Sequence, residues 1–357
     1  MSDIEKSINF YSRVLPLNQS EEKEKFLKYT GLNRTYNPVF SYKSRDLREE
    51  KRILVELLSV LNKNKELSDL KRFFADKIKF MIAQLNLLES EDAEFGNKAV
   101  ALHGKIDDEC LRQAEQILVS TKKEGYIFPP ETITPEEMVS ILKGELEKDN
   151  INWRCVMSPN MIPKITVSGA KKTIYINSYI NYTQDEVERL KVHEIKVHIY
   201  RGENGAEQTL RIFQEGFAGY NETEEGLAIV AEEKYGCLKK DRRQMKLYAA
   251  RALGSDLCGR MSFYEAFKEM REFLPEDISY RIIERGKRGM RDTSVPGGMT
   301  KGYHYISGWL KMKKYIKNGN DLSILYVGKV GLGDIDAIKR LRDKGLVKSP
   351  RHLLSFV

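Results

Sequence analysis

The sequence has no long hydrophobic run and few cysteines, and each scarcity excludes a class of protein. No apolar stretch approaches the roughly 20 residues that a membrane helix needs. The first residues, Met1 to Lys6, lack the basic start followed by an apolar stretch that marks a secretory signal. We therefore expect a cytoplasmic protein with no membrane partner. None of the four cysteines lies in a CxxC pair, which argues against a disulfide framework and against a cysteine-based zinc site.

The composition is that of a globular protein large enough to hold a buried site. The chain has 357 residues, of which 41% are hydrophobic and 31% charged. A net charge of +8 suits a nucleic-acid partner, an acidic protein or a lysine-rich surface. The basic residues are spread along the chain among 52 acidic ones, and no nucleic-acid recognition motif is present, so we expect no specific nucleic-acid partner.

Three regions differ in their pattern. Residues 1–35 are polar with scattered aromatics and are predicted to form an N-terminal arm. Residues 36–130 repeat apolar residues at helical spacing and are predicted to form a helical subdomain. Residues 131–357 are predicted to form the catalytic domain. The boundary, placed where prolines interrupt the pattern near 125–135, is soft, and one continuous domain from residue 36 is the alternative.

The third region mixes a few strands with many helices. Two β-branched runs, 165–167 and 173–176, predict a hairpin. Thr183 and Glu186 have the spacing of a capping box, so a helix is predicted over 184–201, ending at the following glycines. After residue 220 the pattern is almost entirely helical. We expect a predominantly helical α+β fold with a small sheet packed on the helix 184–201.

The predicted helix contains the string HExxxH, formed by His193, Glu194 and His198. Two histidines and a glutamate between them are typical of a zinc peptidase site. Residues five apart lie about 140° apart around an α-helix, so both imidazoles reach one ion only if the helix accommodates one extra residue as a π-bulge. The hypothesis therefore predicts a π-type distortion between the two histidines.

A catalytic zinc usually takes a third protein ligand and keeps an open position for water. Glu222, Glu224 and Glu225 are candidates at the start of the next helix. We choose Glu225 as the third metal ligand, because the small residues that follow it allow close helix packing. Glu222 is predicted to hydrogen-bond to one of the metal ligands, with favourable charge at the helix N-terminus as the alternative.

These residues resemble the family first labelled by a QEGLA motif, which includes a metallopeptidase that removes the C-terminal tyrosine of tubulin. The resemblance covers most of the chain from about residue 36. The segments that carry it are 36–42, HEIKVH at 193–198, 216–220, TEEGLA at 223–228, 287–294, 305–308 and 326–330. Two departures are Lys196, where glycine is frequent in the family, and Glu224, which replaces the motif's glutamine.

The resemblance implies a zincin-like metallopeptidase that binds one zinc ion. His193, His198 and Glu225 would be its metal ligands and Glu194 its catalytic general base. It also implies a carboxypeptidase that removes a tyrosine or phenylalanine from the C-terminus of a peptide or protein. The alternatives are a zinc endopeptidase and a non-catalytic regulatory protein with a structural metal. The sequence does not predict an oligomeric state.

A carboxypeptidase must also bind the terminal carboxylate of its substrate, and a guanidinium group can do so with two parallel bonds. Arg288 is the favoured residue in a basic segment that also contains Arg291. Tyr303 and Tyr305 follow and are predicted to contact the substrate. The alternatives are a solvated basic helix end for the arginines and core packing for Tyr305.

Overall fold

Helices dominate the computed structural model, which describes residues 1–43, 46–63, 68–121, 130–159, 161, 163–240 and 242–354. The first helices are α1 (Ser2–Ile8), α2 (Phe10–Arg13), α3 (Gln19–Gly31), α4 (Arg48–Lys63), α5 (Asp69–Leu88), α6 (Asp92–His103), α7 (Asp108–Ser120) and α8 (Pro135–Lys148). Three strands follow, β1 (Arg154–Ser158), β2 (Ile165–Ser168) and β3 (Thr173–Asn177). The next elements are α9 (Gln184–Leu190), a π-helix (Lys191–Ile199), α10 (Tyr200–Ala206), α11 (Ile212–Glu215), α12 (Tyr220–Lys234) and α13 (Cys237–Lys240). The last helices are α14 (Arg242–Arg260), α15 (Phe263–Arg271), α16 (Glu276–Lys287), α17 (His304–Lys317) and α18 (Ile335–Asp343). None of the helices within the described ranges is long and apolar enough to cross a membrane.

The chain forms two units, and neither is continuous in sequence. The first unit contains Met1–Tyr126 and Lys246–Ser307, and the second contains Ile127–Met245 and Gly308–Val357. This division differs from the predicted one, because residues 246–307 pack with the N-terminal helices. The predicted boundary near 125–135 falls partly on residues 122–129, which lie outside the described part of the chain.

The segment predicted to be an N-terminal arm is packed into the first unit. Phe26 of α3 is fully buried, and its ring lies 4.8–5.2 Å from those of Phe263, Phe267 and Tyr280. These partners lie more than 200 positions further along the chain, and a pattern of local spacing does not report such a contact.

The second unit contains a three-stranded sheet with β3 at its centre. β2 pairs antiparallel with β3, so the predicted hairpin is confirmed. β1 pairs parallel with β3 and was not predicted, because it is short and most of its side chains are exposed. β2 is an edge strand and contacts the π-helix.

The predicted helix 184–201 is confirmed at its start and is longer than expected at its end. The hydroxyl of Thr183 accepts a hydrogen bond from the backbone of Glu186, whose carboxylate accepts one from the backbone of Thr183. The helical path continues through both glycines that were predicted to end it and stops at Ala206. A Cβ added to Gly205 would overlap the backbone of Phe213, so glycine serves there for close packing with α11.

Candidate active site

The segment between the two histidines is a π-helix, which confirms the predicted distortion. It runs from Lys191 to Ile199, and its wider turn brings residues five apart to the same side. The rings of His193 and His198 consequently meet edge to face, with their centroids 4.7 Å apart. The string HExxxH therefore places both imidazoles side by side on one face of the helix.

Lysine at position 196 is compatible with this geometry, although glycine is frequent there in the family. Lys196 does not have a positive φ angle, so the π-helix does not require glycine at this position. Its ammonium group lies 2.9 Å from Asp149 Oδ2 and 3.0 Å from Glu145 Oε1. These ion pairs tie the π-helix to the end of α8.

Glu225 completes a cluster with the two histidines. It lies on α12, and its Oε2 is 3.5 Å from Nε2 of His193. One potential ligand atom from each of His193, His198 and Glu225 lies within 4.8 Å of the others. Two imidazoles and one carboxylate are a donor set that suits a catalytic zinc ion, so the three residues predicted as ligands fit that ion.

The surroundings of His193 favour a positive charge. Burial of this imidazole lowers its pKa, but the carboxylates of Glu225 and Glu232 outweigh that effect and raise the pKa well above its ordinary value. Carboxylates that stabilise a protonated imidazole would stabilise a bound cation at the same place. The electrostatics therefore agree with the donor set.

Glu194 lies between the histidines in sequence and is half-buried. Among the described residues, its carboxylate forms no hydrogen bond or ion pair with another side chain. Its negative charge contributes to raising the pKa of His193. A carboxylate beside the cluster that is not engaged elsewhere can accept a proton from a water molecule bound there.

Two further carboxylates of α12 approach the histidines, and the sequence analysis missed both roles. Glu232 Oε1 lies 2.7 Å from Nδ1 of His193, and Glu224 Oε1 lies 3.5 Å from Nδ1 of His198. Glu222, to which the supporting role was assigned, pairs with Lys311 at 2.7 and 2.8 Å. One signal could have identified Glu232, because it follows Glu225 by seven residues and therefore lies on the same face of α12.

The helix α12 is held by an unusually close approach to α17. A Cβ added to Gly226 would overlap the backbone of Gly308, and a Cβ added to Gly308 would overlap the carbonyl oxygen of Glu222. The small residues after Glu225 were expected to allow close helix packing, and the backbone that a Cβ on Gly226 would meet belongs to Gly308 of α17. The glycine pair fixes the helix that carries Glu225.

The four residues predicted to bind substrate belong to the first unit, whereas the cluster belongs to the second. Arg288 forms a two-bond salt bridge with Glu284, with both distances 2.9 Å. Arg291 is exposed, and its guanidinium group has no partner among the described side chains. The Tyr303 hydroxyl donates to the carbonyl oxygen of His103 at 2.6 Å. Tyr305 stacks on a neighbouring tyrosine ring at 5.0 Å.

The fold and the cluster define a predominantly helical α+β protein with a His-His-Glu site on a π-helix. The profile of one protein family, described as microtubule-associated tyrosine carboxypeptidase, matches residues 24–357. This chain therefore belongs to the microtubule-associated tyrosine carboxypeptidase family, as the sequence resemblance indicated.

Individual relatives agree with this assignment at low identity. Microtubule-associated tyrosine carboxypeptidase 1 of Mus musculus is 26% identical over 348 residues, which are 94% of this chain and 62% of that protein. The Rattus norvegicus protein of the same name is 25% identical, with the same shares covered. Putative tyrosine carboxypeptidase MATCAP2 of Mus musculus is 23% identical over 98% of this chain and 59% of its own length. The chain thus spans about three fifths of the length of these relatives.

Proposed function

We propose that this chain is a zinc-dependent carboxypeptidase that removes a C-terminal tyrosine or phenylalanine from a peptide or protein. The observation that carries the proposal is the cluster of His193, His198 and Glu225 with the carboxylate of Glu194 beside it. The names of the relatives add the reaction and its preference for tyrosine. Because those names associate the proteins with microtubules, we also place the reaction in the cytoplasm.

His193, His198 and Glu225 would hold one zinc ion and leave a position open for water. The bound ion would polarise the carbonyl of the scissile bond and make the water molecule more acidic. Glu194 would accept the proton of that water and transfer it to the departing amine. The π-helix contributes by holding both imidazoles and this carboxylate on one short segment.

The sheet offers a place for the substrate backbone. β2 is an edge strand that contacts the π-helix, and one side of an edge strand has main-chain groups available for pairing. An extended peptide can bind there through backbone hydrogen bonds, whatever its sequence. The contact between an antiparallel edge strand and the helix that carries the histidines supports our proposal of a zincin-like metallopeptidase.

Recognition of the terminal carboxylate requires a cation, and two arginines are candidates. Arg288 already uses Nε and Nη2 in its salt bridge with Glu284, which removes that edge of the guanidinium group from a second carboxylate. Among the described residues, no side chain engages the guanidinium group of Arg291. We therefore propose Arg291 ahead of Arg288 as the carboxylate-binding residue, with Tyr303 and Tyr305 as contacts of the substrate side chain.

The decisive experiment is mass spectrometry of a peptide library with varied C-termini after incubation with zinc-loaded protein. We expect loss of a single residue from peptides that end in tyrosine or phenylalanine, and no loss with the Glu194→Gln variant. Cleavage at internal bonds would indicate an endopeptidase. Zinc bound without cleavage of any peptide would indicate a regulatory protein with a structural metal.

A further inference from the structure

Each histidine of the cluster has a buried carboxylate behind it. The imidazole of His193 presents Nε2 towards Glu225, and its other nitrogen, Nδ1, lies 2.7 Å from the Glu232 carboxylate. His198 also has a buried carboxylate at Nδ1, at a longer distance, since this atom lies 3.5 Å from Oε1 of Glu224. A neutral imidazole carries its proton on the nitrogen that has an acceptor and leaves the lone pair on the other nitrogen.

Each of these carboxylates is in turn paired with a buried arginine. Arg189 Nη1 lies 3.2 Å from Glu232 Oε1, and Arg201 Nη1 lies 3.4 Å from Glu224 Oε1. Glu232 and Arg201 have no exposed surface, and the other two residues are at most 8% exposed. Burying four such charges is costly, and an ion pair alone often fails to recover that cost.

Arg201 is also fixed by the backbone. Its Nε donates to the carbonyl oxygens of Leu325 and Gly328, and its Nη2 donates to that of Val330 at 2.6 Å. A guanidinium group held at three points is a rigid support for Glu224. We infer that these buried charges are retained because they fix a carboxylate at Nδ1 of His198.

We propose that Arg189–Glu232–His193 and Arg201–Glu224–His198 are two buried positioning relays that fix the tautomer and the orientation of the zinc ligands. Each relay places the proton on Nδ1 and leaves the Nε2 lone pair for the ion. This inference rests on the proposed zinc function and adds four positioning residues to it. The first relay is the stronger, because its carboxylate lies 2.7 Å from the imidazole, whereas the distance in the second relay is 3.5 Å, which is 0.8 Å longer.

The residue at the centre of the second relay departs from the QEGLA motif. Glutamate at position 224 stands where the QEGLA motif has glutamine, so a carboxylate replaces an amide behind His198. Glu224 is buried, and its Oε1 lies 3.4 Å from Nη1 of Arg201 and 3.5 Å from Nδ1 of His198. A carboxylate is a stronger hydrogen-bond acceptor than the amide of the motif.

The alternative is that Glu232 serves only to neutralise the buried charge of Arg189. In that case Glu232→Gln would lower the stability of the fold and leave the zinc affinity unchanged. A relay predicts a change in the zinc affinity and in the tautomer of His193 as well. Glu233→Gln is the matched control, because Glu233 is the next residue on α12, is exposed and pairs with Trp309 and Lys313.

The test compares the parent protein with the Glu232→Gln, Glu224→Gln and Glu233→Gln variants of the full chain. Zinc affinity is measured by competition with a chromophoric chelator, and the ring nitrogens are followed by ¹⁵N NMR in the metal-free proteins at a pH high enough for the imidazole of His193 to be neutral. We expect Glu232→Gln to weaken zinc binding by about 10- to 100-fold and to shift proton occupancy away from Nδ1 of His193. Glu224→Gln should have a smaller effect of the same kind, and Glu233→Gln should have none.

The proposal is overturned if Glu232→Gln binds zinc within about threefold of the parent, or if the tautomer of His193 is unchanged. If that variant does not fold, Glu232→Asp keeps the charge and withdraws the carboxylate by one methylene, and parent-like zinc binding by it would equally overturn the relay. A parent protein that binds zinc and cleaves peptides, with a parent-like Glu232→Gln variant, would remove this inference alone. A parent protein without either property would remove the proposed function.

Discussion

Among the described segments that bury positive charge, the surroundings of the π-helix and the end of α16 neutralise it by different means. Around the π-helix, the buried guanidinium groups of Arg189 and Arg201 meet carboxylates of α12. At the end of α16, the fully buried ammonium of Lys287 donates to three carbonyl oxygens, with distances from 2.7 to 3.1 Å. At Lys287, neutral acceptors thus take the place of an ion pair, and burial lowers the pKa of this ammonium group.

The comparison shows that a buried charge can take part in a functional site or can serve only to stabilise the fold. A carboxylate can serve a guanidinium group, an imidazole or a metal ion, so carboxylates placed between such groups link them electrostatically. Carbonyl oxygens of the backbone hold a lysine and pass no charge to a neighbour. We therefore expect substitutions near the π-helix to change metal binding and catalysis, and substitution of Lys287 to change stability alone.

The largest effect should follow removal of a proposed zinc ligand. His193→Ala, His198→Ala and Glu225→Ala should each lower the zinc affinity by more than about 100-fold and abolish activity. The loss of a residue that coordinates the ion should weaken binding more than the loss of a residue that only positions a ligand. Elemental analysis of the purified proteins measures the bound metal. Glu222→Ala is the control, since Glu222 pairs with Lys311. Loss of zinc from this control with full zinc in Glu225→Ala would identify a different third ligand.

Removal of the proposed general base should separate catalysis from metal binding. Glu194→Gln keeps the size of the side chain but does not accept a proton at neutral pH, so the rate should fall by about 10³- to 10⁴-fold with zinc retained. Steady-state kinetics on a peptide that ends in tyrosine gives the rate. Glu188→Gln, one turn and a half earlier and paired with Lys191, should behave as the parent. A Glu194→Gln rate within tenfold of the parent rate would exclude the proposed mechanism.

The buried lysine should respond in the opposite way. Lys287→Met removes the donor from three carbonyl oxygens, and a buried acceptor left without a donor costs about 1–3 kcal/mol. We expect the free energy of unfolding to fall by about 3 kcal/mol, measured by urea denaturation, with the zinc affinity unchanged. The exposed residue Lys268 provides a control as Lys268→Met. A change in zinc affinity in the folded Lys287→Met protein would contradict the contrast drawn here.

The smallest effect should come from the carboxylate-binding arginine. Arg291→Ala should weaken cleavage of a free-acid peptide by about 2 kcal/mol in transition-state binding, while Arg288→Ala should change it less because Arg288 is engaged by Glu284. The ratio of kcat/KM for acid and amide forms of one peptide measures this. Equal cleavage of both forms by the parent would point to an endopeptidase, and a larger effect of Arg288→Ala would reverse our assignment.

Local sequence was enough to predict what depends on spacing along the chain. The five-residue interval between His193 and His198, together with the requirement that both reach one ion, predicted a π-bulge, and the structure has a π-helix of nine residues there. The capping box at Thr183 and the hairpin of β2 and β3 follow from short patterns in the same way.

What depends on the path of the chain in space was not predictable. Glu232 reaches His193 only because α12 lies beside the π-helix, and its spacing from Glu225 gives a face but no partner. The pairing of Glu222 with Lys311 was not predictable for the same reason. The joining of residues 246–307 with the N-terminal helices, and the burial of Phe26, are contacts between distant parts of the sequence.

The contact between Gly226 and Gly308 makes the site dependent on a residue that performs no chemistry. Glu225 moves with α12, whereas His193 and His198 remain on the π-helix, so any side chain at position 308 would push one ligand away from the other two. A displacement of about 1 Å can cost a hundredfold in rate. A relative that keeps every proposed ligand and the general base would therefore be inactive if alanine replaced the glycine at position 308, and no other difference in its sequence would indicate this.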